Sequence, residues 1–285
     1  RQGNFNGPFF GYVGQDDKHP DTYIVTMVQS GLGLPDRDYY LKDDAAITKT
    51  RTAYAAYLSK LLTLAGEPDA DARASAVIAL ETAIAKGHWT RVDSRDSDKI
   101  YNKWSASDFA AKAPGFDWTT FFGTVGVVAQ KDFLVSQPSA VTSGAKILSE
   151  APVAALRDYF LVHTIDDMAP YLSKAFVDAE FDFNSKVLNG IPQNSPRWKR
   201  GAELVKGAMG EAVGQQYVAR YFPPEAKVEA DKLVKNVIAA MDTRLANLEW
   251  MAPETKAQAR AKLAAFTPKI GYPDKWRDYS KLTVK

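Results

Sequence analysis

The sequence predicts a mainly α chain: a multi-helix lobe with a few short strands near the N-terminus, around residues 127–135 and at the C-terminus. Three observations carry this. Apolar and aromatic residues recur at helical spacing over long stretches, as at Tyr54, Tyr57, Leu58, Leu61 and Leu62. Prolines at 138, 152, 170 and 196 stand where a first helical turn tolerates them. Strand texture is confined to Thr22–Val28, Val127–Val135 and the final segment Ser280–Lys285.

Taken in order, a Gly- and Asp-rich loop leads into the Thr22–Val28 strand and then into Ser30–Leu41, Ser-Gly-Leu-Gly-Leu-Pro-Asp-Arg-Asp-Tyr-Tyr-Leu. Gly31 and Gly33 permit positive φ or close backbone approach, and Pro35-Asp36 sets a turn that delivers Arg37, Asp38, Tyr39 and Tyr40 to a defined place. The plain reading is a loop that caps the next helix and plugs the core with two tyrosines. Asp43–Leu64 reads as a helix with acidic residues at its start and Gly66 beyond its end; Pro68 opens a second, stopped by Gly87, so the two form an antiparallel hairpin. Ser105 with Asp108 resembles a capping arrangement, and Asp117–Phe122 reads as a short aromatic helix. Helices follow from Pro138, Pro152, Pro170 and Pro196, then from Pro224 to about Leu248 and from Pro253 to about Phe266. Gly201, Gly207, Gly210 and Gly214 each cost about 1 kcal/mol against alanine in a helix, which places them where another helix packs closely. Pro268–Tyr279 breaks the helical texture and repeats the Gly-apolar-Pro-Asp and Arg-Asp-Tyr chemistry of the first turn.

The chain of 285 residues has 36 Lys+Arg against 34 Asp+Glu, a formal charge of +2, without the basic run that an electrostatic grip on nucleic acid needs. It has no cysteine, which excludes disulfides and thiolate chemistry. No apolar stretch reaches the roughly 18–20 residues of a membrane span, and the first residues do not resemble a signal peptide. The start, without methionine, reads as that of a processed or truncated product.

The residues give no self-contained active site. His19, His88 and His163 are dispersed and none belongs to H-E-x-x-H. Ser143-Gly144 lacks the nucleophile elbow, and Gly31-x-Gly33 is half a nucleotide fingerprint. Asp166-Asp167 and the Asp178/Glu180/Asp182 group read as solvated faces, because neighbouring helical residues point in different directions. Tyr54/Tyr57 and Tyr217/Tyr221 fall at helical spacing and read as core or groove lining.

Three stretches together resemble the N-terminal half of the neprilysin family of zinc metallopeptidases: Gln29–Leu41; Arg197-Trp-Lys-Arg with Gly214-Gln-Gln-Tyr-Val218; and Glu249-Trp-Met-Ala-Pro-Glu-Thr-Lys256 followed by Lys269-Ile-Gly-Tyr-Pro-Asp274. The resemblance implies a helical substrate-gating lobe over residues 1–267, with 268–285 a linker and the start of a catalytic lobe missing from this chain. It implies an oligopeptide-cleaving zinc endopeptidase whose ligands lie outside the chain, so that no catalytic, cofactor-binding or metal residue is assigned here. The expected partners are oligopeptide substrates and the catalytic lobe, with no nucleic acid and no membrane span. Animal members carry a cysteine where Gly201 stands, which points to a bacterial source and, with it, a periplasmic or extracellular location. The alternatives are a stand-alone peptide- or protein-binding module and a helical scaffold. If a lobe is missing, Trp276 and Tyr279 are expected to be markedly exposed or covered by a neighbouring molecule, with Tyr39 and Tyr40 buried.

Overall fold

The computed structural model describes residues 7–283. Helices dominate and four short strands form one sheet, as the fold class predicted. Two compact units divide the chain, Arg1–Asn194 and Ser195–Lys285.

In the first unit, β1 (Phe9–Gln15) and β2 (Tyr23–Gln29) form an antiparallel hairpin in register from Phe9↔Gln29 to Gln15↔Tyr23. β3 (Lys103–Ser105) and β4 (Asp132–Val135) complete the order β1-β2-β4-β3, with β4 parallel to β2 and antiparallel to β3. β2 has neighbours on both edges, and Ile24–Met27 are all buried, the pattern of a strand covered on both faces. The strand expected over 127–135 is shorter than the apolar run. Gly126 at φ 78° ends the preceding helix, Gln130 turns back onto the Val127 carbonyl, and pairing starts at Asp132. Ser105 and Asp108 close the expected capping box at the start of α4 (Ala106–Lys112), and the Asp117 side chain caps α5 (Trp118–Thr124). Beneath the sheet, Phe109 is the centre of an aromatic core, its ring 4.7 Å from Trp118, 5.0 Å from Trp104, 5.1 Å from Phe122 and 5.2 Å from Phe133. α6 (Pro138–Glu150) packs so closely on the hairpin that a Cβ at Gly144 would lie 2.9 Å from Pro8 and 3.1 Å from Phe9.

A second core joins α2 (Ala45–Leu64), α3 (Ala70–Gly87) and α7 (Val153–Met168). Asp44 caps α2 by accepting from the Ala46 and Ile47 amides, and the turn into α3 uses Gly66 at φ 78° and Asp69 at φ 53°. Leu61, Leu62 and Val77 are fully enclosed, each such side chain stabilising the fold by about 1.5–3 kcal/mol. Pro170 does not open a helix. It lies in a tight turn, Ala169–Tyr171, and the next helix, α8 (Lys174–Glu180), begins after Ser173. α8 then loosens into a π-helical segment, Phe181–Val187, that brings Phe183 into the core, 4.9 Å from the Tyr57 ring and 5.4 Å from the Tyr54 ring.

The second unit holds α9 (Arg197–Tyr221), α10 (Pro224–Asn247) and α11 (Pro253–Ala264). Met209 leaves helical geometry (φ −135°, ψ 45°) between Gly207 and Gly210, so α9 is broken in the middle. The four glycines of α9 do not mark a helix contact. A Cβ at Gly201, Gly207 or Gly210 would meet nothing within 4 Å, and Gly214 is approached by the Trp276 ring at 3.3 Å. That contact answers the expectation for the tail. Trp276 and Tyr279 are half-buried and not markedly exposed, and at Trp276 the missing side chain of Gly214 leaves room for the indole on its own unit. Trp276 also stacks on Tyr272 (5.8 Å, 7°), the Arg277 amide donates to Glu211 Oε2 at 2.6 Å, and Lys227 Nζ donates to the Tyr272 carbonyl and to Asp274. Residues 280–283 form a turn and no strand; Val284 and Lys285 lie outside the described residues.

Candidate functional site

Gln29–Leu41 lies where four elements meet. At its start the Gln29 side chain accepts from the Trp89 amide (2.7 Å) and donates to the Trp89 carbonyl (3.2 Å), clamping the loop after α3 to the end of β2, while the Gln29 amide donates to Gln137 Oε1 (3.0 Å). Gly31 adopts φ 88°, and the Tyr159 hydroxyl of α7 donates to its carbonyl at 2.8 Å. A Cβ at Gly33 would fall 1.9 Å from the Tyr54 hydroxyl. Glycine is therefore required at both positions for close approach, and at Gly31 also for its backbone angle. The Leu34 amide donates to the Tyr40 hydroxyl at 2.9 Å, so the short helix α1 (Asp38–Leu41) folds its second tyrosine back under its own turn. Tyr40 is buried as expected, whereas Tyr39 is half-buried.

Beneath the turn is a carboxylate that sequence reasoning passed over. Glu81 of α3 is 0% exposed; the Tyr40 hydroxyl donates to its Oε2 at 2.8 Å, the Tyr54 hydroxyl to its Oε1 at 2.9 Å, and His163 Nε2 of α7 lies 2.7 Å from Oε1. Burial, followed by the charge of Glu81, drives the Tyr40 and Tyr54 hydroxyls well above the ordinary tyrosine range, so both remain donors. A signal existed: Glu81 falls four residues after Val77 and three before Ile84, on the buried face of α3.

Above the turn runs an open polar cleft. The side facing Gln29–Arg37 is lined by His88, Trp89, Arg91 and Ser94, with a cavity volume of about 260 Å³. It adjoins a second of about 330 Å³ that shares Arg37, His88 and Trp89 and reaches Lys86, Lys99 and Ser139. Arg37 Nη1 donates to the His88 carbonyl at 2.9 Å, and Arg91 pairs with Asp36 at 2.8 Å. His88 is 6% exposed, and burial lowers its pKa to about 4, so its ring is neutral at neutral pH.

The structure keeps the three histidines apart in role. His19 is exposed in the β1–β2 loop, His88 borders the cleft, and His163 holds Glu81. Of the carboxylates singled out in the sequence, Asp166 accepts from the Tyr57 hydroxyl and from Asn184 Nδ2 (3.0 Å), which ties the π-helical segment to α7. The neighbouring Asp167 has its pKa raised by burial and by Asp166. Asp178 and Asp182 pair with Lys174 and Lys186 on their own helical stretch. Ser143 of α6 faces Gly87, and its Cβ would lie 2.6 Å from a Cβ added there. Tyr54 and Tyr57 are core; Tyr221 lines a groove with Phe222 and Tyr272, while Tyr217 projects from the surface of α9. Among the described residues no group of three or more His, Asp or Glu side chains is placed to hold a metal ion. The described residues thus bring together no side-chain set that fits a zinc centre.

The N-terminal family model of peptidase family M13 matches residues 1–273. The chain belongs to peptidase family M13. Among the M13 relatives, it is 30% identical to an endothelin-converting enzyme homolog of Locusta migratoria, covering 95% of this chain and 39% of that protein. Mycobacterium tuberculosis zinc metalloprotease Zmp1, solved in complex with an inhibitor, is 36% identical with a TM-score of 0.87 over 98% of this chain and 42% of its own. The same enzyme in an open state gives 0.82. PepO from Lactobacillus rhamnosis, at 22% identity and a TM-score of 0.80 over 94% of this chain and 43% of that one, shares the fold. The chain thus spans well under half the length of these M13 relatives. No described helix is long and apolar enough to cross a membrane.

Proposed function

We propose that this chain is the helical gating part of an M13 zinc metalloendopeptidase that hydrolyses oligopeptides, its catalytic zinc half encoded outside these residues. The observation that carries the reading is the N-terminal family match over residues 1–273 in a chain that spans 36% to 44% of its relatives. In this reading residues 1–267 are the lobe, 268–285 lead towards the catalytic part, and the intact enzyme acts in the periplasm or outside the cell. Two further observations support it. A similar enzyme, Zmp1, has been solved in open and partial open states, which is what gating by a moving lobe requires. The second unit also exposes large apolar groups, Trp198 at 70% and Trp250 at 77% among them, of the kind that a partner surface covers.

The experiment is to read the encoding frame beyond Lys285 and to assay its full product. An H-E-x-x-H downstream, with chelator-sensitive cleavage of a fluorogenic peptide, is the expected outcome. A stop codon soon after Lys285 sinks the reading and leaves the stand-alone binding module. The 285-residue chain alone is expected to bind no stoichiometric zinc and to cleave no peptide; metal analysis and the same assay check this, and chelator-sensitive turnover by it would place the chemistry in residues that the reading leaves without a role.

A further inference from the structure

The break at Met209 divides α9 into two halves that are held very differently. Residues 210–221 are anchored on their own unit, since the Trp276 ring packs at Gly214 and Glu211 Oε2 accepts from the Arg277 amide at 2.6 Å. Residues 197–208 are not. All of them except Arg200 are exposed, and among the described residues no hydrogen bond or ion pair ties them to any residue outside α9 other than Pro196 before it. Their sequence is patterned all the same. Trp198, Ala202 and Val205 recur at i, i+4 and i+7 and share one helical face, while Arg200 and Glu203 lie on the other. Arg197 and Lys199 flank the apolar face, Lys199 with its ammonium 5.5 Å from the centre of the Trp198 ring. Lys206 pairs with Glu203 at 2.7 Å, which leaves Arg197, Lys199 and Arg200 without an ion pair among the described residues. The surface that fits this arm is therefore apolar at its centre and acidic at its rim.

Size decides what carries that surface. An arm of these twelve residues is roughly 18 Å long, and one face of it falls far short of the roughly 800 Å² per partner that a stable interface between separate proteins buries. A partner on the same polypeptide needs no such area, because the tether supplies a high effective concentration. The M13 relatives, of which this chain spans 36% to 44%, carry ample further chain of that kind. We propose that residues 197–208 are a docking arm for the catalytic half that follows Lys285, with Trp198, Ala202 and Val205 seated on an apolar patch there and Arg197 and Lys199 paired with acidic side chains around it. The break at Met209 lets the arm turn onto that surface while residues 210–221 stay on the tail. The proposal rests on the reading of the chain as part of a longer peptidase.

The chain has no cysteine, so a single introduced thiol reports on each face of the arm. Val205→Cys on the apolar face and Glu203→Cys on the far face are made in the 285-residue chain and in the full product of its reading frame. Maleimide labelling is then timed by mass spectrometry of the peptide that carries each position. Labelling is expected to be fast and alike at both positions in the 285-residue chain, and in the full product at least tenfold slower at position 205 and unchanged at position 203. Slow labelling at position 205 already in the 285-residue chain would mean that the arm packs on its own residues, and fast labelling there in the full product would mean that nothing covers it; either overturns the docking. As a second readout, Val205→Asp should lower the melting temperature of the full product and leave that of the 285-residue chain unchanged, and no shift in the full product counts equally against the arm. Chelator-sensitive cleavage by the same full product judges the peptidase reading separately. An active product with position 205 open fails the arm and keeps the reading, whereas a stop codon soon after Lys285 removes both.

Discussion

Glu81 and His88 are seven residues apart, about two helical turns, on either side of the same glycine-rich turn, and their burial has opposite consequences. Glu81 organises what surrounds it: Tyr40 from α1, Tyr54 from α2 and His163 from α7 all point at its carboxylate. Truncation to alanine would leave the Tyr40 and Tyr54 hydroxyls without their acceptor and the His163 imidazole without its carboxylate in an enclosed space, the Tyr40 hydroxyl keeping only the Leu34 amide. Glu81→Ala is therefore expected to destabilise the first unit by about 3–5 kcal/mol, and Glu81→Gln, which still accepts from a tyrosine, by less. Urea denaturation of both variants measures this, and a loss below about 1 kcal/mol for Glu81→Ala would mean that the network is dispensable. His88 is instead a group whose folded pKa is depressed, from 6.5 to about 4. Between those values the unfolded chain binds the proton and the folded chain does not, so the stabilisation is present above about pH 6.5 and is lost as pH falls towards 4. A shift of this size corresponds to roughly 3 kcal/mol. The difference in unfolding free energy between wild type and His88→Gln should accordingly shrink by about that amount from pH 7 to pH 4; a difference that stays constant would show that the ring is not held neutral.

At the level of elements, what the sequence could reveal depended on whether the signal was local. α2 and α3 were readable because periodic apolar residues, an Asp44 cap and the Gly66 stop all lie within their own spans, and the Ser105–Asp108 capping box is set by two residues three apart. Ser105→Ala tests the last of these and should cost about 1 kcal/mol in thermal or urea unfolding, with an unchanged value showing the box to be ornamental. The π-helical segment Phe181–Val187 was not readable, because its extra residue per turn serves contacts made to Tyr54 and Tyr57 over a hundred positions away. β1 and β3 were missed for a related reason. β1 carries Gly11 and Gly14, β3 is three residues long, and both exist through pairing with β2 and β4. The Gln29–Leu41 turn was legible as a constraint but not as a site, since its clamp to Trp89 and its cleft depend on a loop sixty residues distant. Pro170 and the glycines of α9 misled for the opposite reason: each residue has a common local use that its tertiary surroundings here do not call on.

Across the whole molecule the burial is uneven. The first unit holds two hydrophobic cores, one built on helices and one on aromatic rings under the sheet. In the second unit Leu245 is the one buried hydrophobic residue among the described residues, and α9 and α11 have none. α9 additionally bears four glycines, each weakening a helix by about 1 kcal/mol relative to alanine, and a break at Met209. What holds this unit is the Trp276 contact at Gly214, the Lys227 bonds to Tyr272 and Asp274, and the Arg260–Asp242 pair at 2.7 Å, most of it at the surface, where an ion pair contributes about 0–1 kcal/mol. The two units should therefore not unfold together. Hydrogen exchange is expected to show the amides of α9, α10 and α11 exchanging well before those of α2, α3 and α7. The six tryptophans divide evenly for a second readout: Trp89, Trp104 and Trp118 lie in the first unit, Trp198, Trp250 and Trp276 in the second. With tryptophan kept in one unit and replaced by phenylalanine in the other, fluorescence should report a lower melting temperature for the second unit, and Trp276→Ala should lower it further without moving that of the first. Coincident transitions with equal exchange protection would mean that the second unit draws its stability from interactions other than its own burial.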